Sequence, residues 1–331
     1  MTMYSKELNP IDVQWLKETV SRIHVTNRQI GKADWCGYTY DFTCPSHVTY
    51  PFQWFWDSCF HAIALSHFDI KKAEAELFSL LKNQHADGFI SHVTFWQRDV
   101  YEEMVSTYAI AFRNRYLSDE MQPPLLAEAV NAVARRGRGS EFLNEILPGV
   151  CKFYDWLHDV RSPFNDGLIR VVQPDETGLD HSPKWDELMK IQNEDHDSWD
   201  RGWNLICDQY KPFNRDPKKM IATDYFIVAD VMVNVIYIEN LRVLAQLCAS
   251  IGDGEGEKRY AERATIARKS LDELCWEESD GLYYDVNGKS NTKIRVNTFT
   301  SLMPMFLTDI DQSKLSRLME HLLNPEEYWA K

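Results

Sequence analysis

The chain has 331 residues, 44% of them hydrophobic, which is ample for a sizeable buried core in one large domain or two ordinary ones. A formal net charge of −14, with only short basic clusters such as Arg135, Arg136 and Arg138, argues against nucleic acid and anionic membranes as partners. Seven cysteines, odd in number, widely spread and without C-x-x-C spacing, fit reduced thiols better than a disulfide framework or a zinc site.

At the amino end, MTMYSKELNP lacks the apolar core of a signal peptide, and no apolar run approaches membrane-spanning length, so a cytoplasmic protein is expected. Amphipathic periodicity predicts helices over roughly 10–24, 56–68, 70–84, 99–118, 123–136, 140–161, 183–194, 224–251, 255–276 and 311–323. The 224–251 stretch is the clearest, with Val228, Val231, Met232, Val235, Ile238, Leu241, Leu244 and Leu247 recurring at three and four before Gly252. No β-α-β alternation and no Gly/Ser linker occur, so residues 1–331 are treated as a single domain.

Three segments share one grammar: ADGFISHV (86–93), NDGLIRVV (165–172) and SDGLYYDV (279–286) each follow a helical stretch, turn at Asp-Gly and continue as a short extended piece. Repetition of one such unit suggests helical hairpins arranged around an axis, an α/α toroid. Three common Asp-Gly turns account for the same pattern equally well.

The residues able to do chemistry fall in a few places. YPFQWFWDSCFHAI (50–63) crowds Tyr50, Phe52, Trp54, Phe55 and Trp56 ahead of Asp57, which is placed to cap the following helix. Aromatic faces stack on sugar C–H faces while a carboxylate accepts bonds from hydroxyls, so this stretch suits a pyranose. The plain alternative is a hydrophobic plug, with Phe55 and Phe60 in the core. Gln122, before a double proline, offers a donor and an acceptor. In ETGLDHSPKWDEL (176–188), Gly178 permits a bend, Ser182 suits an N-cap and Pro183 a first helical position, which leaves Asp180 in a loop. As a general acid Asp180 must keep its proton near neutral pH, through burial against tryptophan or a neighbouring carboxylate such as Glu176. Its commoner fate would be a turn cap. The ten histidines show no metal-ligand spacing, and His61, His67, His92 and His181 are expected to be packed or capping. No metal or cofactor is expected, and no G-x-S-x-G, P-loop or dinucleotide glycine pattern is present.

Taken in order, YPFQWFWDSCFHAI, DGFISHVTFW, MQPPLLA and ETGLDHSPKWD resemble glycoside hydrolase family 63, in particular its bacterial mannosylglycerate and glucosylglycerate hydrolase branch, from about residue 30 onward. The resemblance implies an (α/α)6 toroid, all-α apart from short β-like segments, and inverting hydrolysis of a small α-glycoside. It also implies Asp180 as the general acid, with Tyr50, Trp54, Trp56, Asp57, Gln122 and Gly178 at substrate-binding positions. Relatives carry tryptophan where this chain has Asp175, which removes one stacking surface. Their base is a glutamate on the carboxyl side of NPEEYW, a segment that ends here as NPEEYWAK. The expectation is therefore a toroid lacking its last hairpins, its base absent from these residues and its hydrolysis impaired. Two other classes compete: a non-catalytic carbohydrate-binding or scaffold protein, and an isomerase or epimerase, which would need paired histidines facing the cavity. The expected partner is a small-molecule glycoside; the sequence is silent on oligomeric state.

Overall fold

A computed structural model of the chain describes residues 10–104, 112–192 and 196–328. Helices dominate: α1 (Pro10–Thr26), α2 (Phe55–Leu65), α3 (Ile70–Lys82), α4 (Arg98–Met104), α5 (Leu126–Ala134), α6 (Ser140–Arg161), α7 (Asp186–Met189), α8 (His196–Tyr210), α9 (Pro217–Ala222), α10 (Val231–Ser250), α11 (Gly254–Ser270) and α12 (Gln312–Leu322). The strands are short: β1 (Arg28–Lys32), β2 (Thr39–Thr43), β3 (Gln53–Trp54), β4 (Val93–Thr94), β5 (Phe112–Asn114), β6 (Leu117–Ser118), β7 (Val228–Ala229), β8 (Trp276–Glu277), β9 (Leu282–Tyr283), β10 (Asp285–Asn287) and β11 (Thr292–Ile294). They pair as β1-β2, β3-β4-β6-β5, β7-β10-β11 and β8-β9.

The core is built from helix pairs. In α2/α3, α5/α6 and α10/α11 the partners are joined by short loops, and α10 packs on α5, α6 and α11. Caps set the starts. Asp69 accepts from Lys72 N–H at 3.2 Å, Asp230 from Val233 N–H at 2.8 Å and Asp253 from Gly256 N–H at 2.9 Å, each meeting a donor the helix cannot satisfy itself. α10 is long and apolar enough to cross a membrane, against the expectation that no segment approaches that length. Most of it is buried inside the protein, where Val233, Tyr237, Leu241 and Leu244 are fully enclosed.

Each Asp-Gly segment follows the second helix of a pair. Asp87 Oδ1 accepts from Phe89 N–H at 3.2 Å and Asp166 Oδ1 from Leu168 N–H at 2.9 Å, the same two-residue side-chain turn. Asp280 departs from this: its carboxylate takes Ser279 Oγ, Tyr284 Oη and Arg295, and Gly281 lies in the β8-β9 hairpin. The extended pieces then pair, with β4 on β3 and β6, and Val171 bridging Val228.

Several predicted elements change. Within the described residues of the helix expected over 99–118, α4 is helical, but Phe112–Asn114 and Leu117–Ser118 are strands, turned by Tyr116 at φ 77°, because β6 completes hydrogen bonds that β4 leaves open. The remainder of that stretch lies outside the described residues. The 183–194 helix shrinks to a 3-10 turn, Pro183–Trp185, and the one-turn α7, stopped at Lys190 with φ 56°. α10 begins at Val231 rather than 224, because Val228–Ala229 pair with β10 and Asp230 caps. α8 and α9 were not anticipated. α8 carries Trp199, Trp203, Ile206 and Tyr210 at helical spacing, but aspartates and Gly202 dilute the pattern.

Candidate active site

The segment around Asp180 folds by local rules. Pro174 opens a 3-10 turn through Thr177; the Thr177 hydroxyl donates to Pro174 carbonyl at 2.7 Å and accepts from Leu179 N–H at 3.1 Å. Gly178 follows at φ 70°, the left-handed conformation that favours glycine. A second restriction is steric: a β-carbon there would lie 2.4 Å from the Trp56 ring. Ser182 takes the N-cap position without a side-chain cap bond. Trp185 Nε1 closes the loop by donating to Leu179 carbonyl at 3.0 Å. Lys184, 2% exposed, anchors the loop to the start of α10 through Asp230, Asp285 (2.9 Å) and Thr300 Oγ1 (3.5 Å).

Asp180 stands at the site's edge. It remains open to solvent, yet protein atoms crowd it enough that burial pushes its carboxyl upward, opposed by the neighbouring His181 and His92. A raised acid at a loop is what proton donation needs. Glu176 is not the neighbour that raises it, as had been expected. That carboxylate is fully enclosed and accepts from both Arg161 Nη atoms, Met121 N–H (3.1 Å) and Val172 N–H (2.8 Å), which satisfy its hydrogen bonding. The carboxyl pressed against the Asp180 charge is Asp175.

The aromatic stretch delivers β3 and the first turn of α2. Trp54 and Trp56 are half-buried; Trp54 packs edge-on against Tyr50 at 6.0 Å and His92 at 5.4 Å, and its Nε1 is buried without a partner among the described residues. Gln122 reaches across from the segment before α5, and its Oε1 accepts from Trp56 N–H at 3.0 Å, so its acceptor is already committed to the protein. Phe55 is core, but Phe60 is 51% exposed and packs on Trp56 at 5.7 Å, so only half of the plug alternative holds. Asp57 does not cap α2. The helix starts at Phe55, ahead of it, with Trp54 at the N-cap position, and Asp57 occupies the first turn. Burial lifts its carboxyl to about 6. The structure thus joins Tyr50 to Trp54 by contact, joins Trp56 to Gln122 and Gly178, and sets Asp57 beside Trp56 in sequence.

His92 is packed, as expected, and the tryptophans of α8 are what the sequence reading missed. His92, 2% exposed, donates or accepts at Ser118 Oγ (2.5 Å), with Glu120 3.3 Å away, and links the Trp54 side to Asp180. Arg215 lies inside, bound to Glu120 at 2.5 Å and close to Asp119 and Gln173, so its charge is already engaged. Arg295 pairs with Glu277 and Asp280 at the β8-β9 hairpin. On α8, Trp199 stacks on His181 at 4.2 Å and 7°, on Trp203 at 5.7 Å, and donates to Asp180 carbonyl at 3.4 Å. The four-residue spacing of Trp199 and Trp203 was the available signal. A cleft of about 880 Å³ between β1-β2, α3 and α6 contains none of these residues; the chemistry-bearing groups argue for the Asp180 region instead.

Comparison with known proteins bears on this arrangement. The model of the mannosylglycerate hydrolase MGH1-like glycoside hydrolase domain matches residues 50–331. The mannosylglycerate hydrolase of Thermus thermophilus is 26% identical over 307 residues, covering 84% of this chain and 73% of that protein. The glucosylglycerate hydrolase of Mycolicibacterium hassiacum is 28% identical over 254 residues, covering 66% of this chain and 55% of its own length. A crystal structure of the Thermus thermophilus family 63 mannosylglycerate hydrolase with Tris and D-glycerate superimposes with a TM-score of 0.76 at 25% identity, over 92% of this chain and 76% of that one. The fold is that of the (α/α)6 toroid glycosidases, which decides between the two readings of the Asp-Gly segments.

Proposed function

The chain belongs to the mannosylglycerate hydrolase MGH1-like glycoside hydrolases, and on that premise we propose that it cleaves a small α-glycoside of an organic acid, such as mannosylglycerate or glucosylglycerate, with inversion. The observation carrying this reading is the convergence of Trp56, Gln122 and Gly178 beside a loop whose Asp180 carboxyl is pushed upward. In this mechanism Asp180 protonates the glycosidic oxygen as the bond to the sugar breaks. Tyr50, Trp54 and Trp56 supply apolar faces for the ring, Asp57 and Gln122 its polar contacts, and Gly178 permits the close approach. An inverting partner activates water from the opposite face, about 6.5–9.5 Å from the acid; that base has no assigned residue here. The reading extends to a single catalytic domain working in the cytoplasm.

Sugar release from the two glycosides by the purified protein and by Asp180→Asn tests the proposal. Loss of general acid catalysis corresponds to about 10²–10⁴ in kcat; undiminished turnover in the variant removes Asp180 from its role. Proton NMR of the first-formed anomer tests inversion. Calorimetric binding of a glycoside with no sugar released would identify a carbohydrate-binding protein instead.

A further inference from the structure

The mechanism gives Asp175 no part, although its carbonyl accepts from Gly178 N–H and the charges of Asp180, Glu120 and Glu176 act on its carboxyl. Its backbone is fixed from both sides. Glu176 is held by Arg161, Met121 N–H and Val172 N–H, Thr177 closes onto Pro174, and Gly178 N–H donates to Asp175 carbonyl at 3.1 Å. A fixed backbone leaves the side chain few directions. One carboxyl oxygen, Oδ1, is buried without a hydrogen-bond partner among the described residues. Buried polar atoms left unmet are costly, and each calls for a partner, which at a binding site a ligand can supply. Trp54 Nε1, on the aromatic side of the same site, is a second buried atom of this kind.

The groups around Asp175 decide its protonation. Glu176 faces it from its own turn, Asp180 from the following loop, Glu120 from the segment after β6 and the Cys207 thiol from α8. The opposing cation is Arg215, which Glu120 and Asp119 already share. An ionised Asp175 would face three carboxylates with no N–H donor at its buried oxygen. Burial first, then Asp180, Glu120 and Glu176, accordingly hold the carboxyl well above the usual range. A neutral carboxyl differs from an ionised one in kind: it brings an O–H donor.

We propose that Asp175 is a specificity-determining residue of this site, donating its carboxylic O–H to an acceptor oxygen of the bound glycoside while adding no charge beside the substrate. The proposal rests on the glycosidase reading above. For a glycoside bearing a carboxylate the missing charge matters, since an ionised Asp175 would repel the ligand it contacts.

Two measurements test it. The first is KM and kcat for mannosylglycerate and glucosylglycerate across pH in wild type, Asp175→Asn and Asp175→Ala. Asparagine keeps size, neutrality and a donor, so its KM should stay within about 3-fold of wild type at neutral pH, whereas alanine should raise KM about 10-fold, the effect of one lost hydrogen bond, with kcat changed less. The wild-type KM should climb at alkaline pH and that of Asp175→Asn should not. Equal effects of asparagine and alanine overturn the proposal. The second needs no substrate: infrared difference spectra of wild type minus Asp175→Asn should contain the carbonyl stretch of a protonated carboxylic acid at pH 7, titrating at lower pH in an Asp180→Asn background, where the neighbouring charge is gone. Absence of that band overturns the proposal whatever the activity. The band present with neither glycoside hydrolysed overturns the functional reading alone.

Discussion

The indole of Trp56 occupies the space that a β-carbon at position 178 would need, and that carbon would lie 2.4 Å from the ring. One aromatic residue from the start of α2 thereby holds the loop that carries Asp180. Gly178→Ala must shift that ring and also place alanine at φ 70°. The expected cost is about 1–3 kcal/mol of stability, read as a lower midpoint in urea, together with a fall in kcat/KM as the wall moves. Adding Trp56→Ala should recover part of the stability and none of the activity; recovery of neither would separate the two residues.

Arg161 and Glu176 form a wholly enclosed ion pair under the same turn. Removing one member leaves a buried charge without its partner, which typically costs about 3–5 kcal/mol. Arg161→Met should lose that much in a denaturant titration, whereas Arg161→Met combined with Glu176→Gln should lose less. A single variant as stable as wild type would show that the pair is dispensable.

His92 makes stability depend on pH on the acid side. Although Glu120 lies 3.3 Å from Nδ1, burial outweighs it and depresses the ring from 6.5 to about 4. The unfolded chain therefore binds the proton more readily, and the stability that His92 contributes is complete above 6.5 and is lost as pH falls through 4. His92→Gln should flatten the urea midpoint over that window; an unchanged slope places the acid sensitivity elsewhere.

Asp57 acts in the opposite direction. Its folded carboxyl is lifted from 3.8 to about 6, so its contribution is complete below 3.8 and is lost as pH rises through 6. Asp57→Asn should match wild type near pH 3 and exceed it by at most about 3 kcal/mol near pH 8, at about 1.4 kcal/mol per pKa unit. Equal stability at both pH values would mean that the carboxylate finds compensation when ionised.

Much of the helical framework was legible locally. The run from Val231 to Leu247 carries its own period, but the cap at Asp230 was not read, so that helix was expected to begin at 224. The Asp87 and Asp166 turns were legible too, since a side chain bonding two residues ahead needs nothing from the rest of the chain. The 99–118 stretch misled because pairing of β6 with β4 overrode helical periodicity. α8 was passed over because its tryptophans are separated by aspartates and Gly202, and that glycine is explained only by Met189, whose carbonyl lies 2.7 Å from where a β-carbon would be.

By itself the sequence determined most of the long helices, the turn before Asp180 and the residue types able to handle a sugar, because periodicity, capping and turn chemistry act within a few residues. Tertiary structure decided the partners. It gave Glu176 to Arg161, Arg215 to Glu120, Gln122 to the Trp56 backbone, and left Asp175 beside Asp180 with a buried oxygen unmet. Charge state and hydrogen-bond occupancy depend on what lies within a few ångströms in space, and residues far apart in the chain acquire that proximity only when the helix pairs pack.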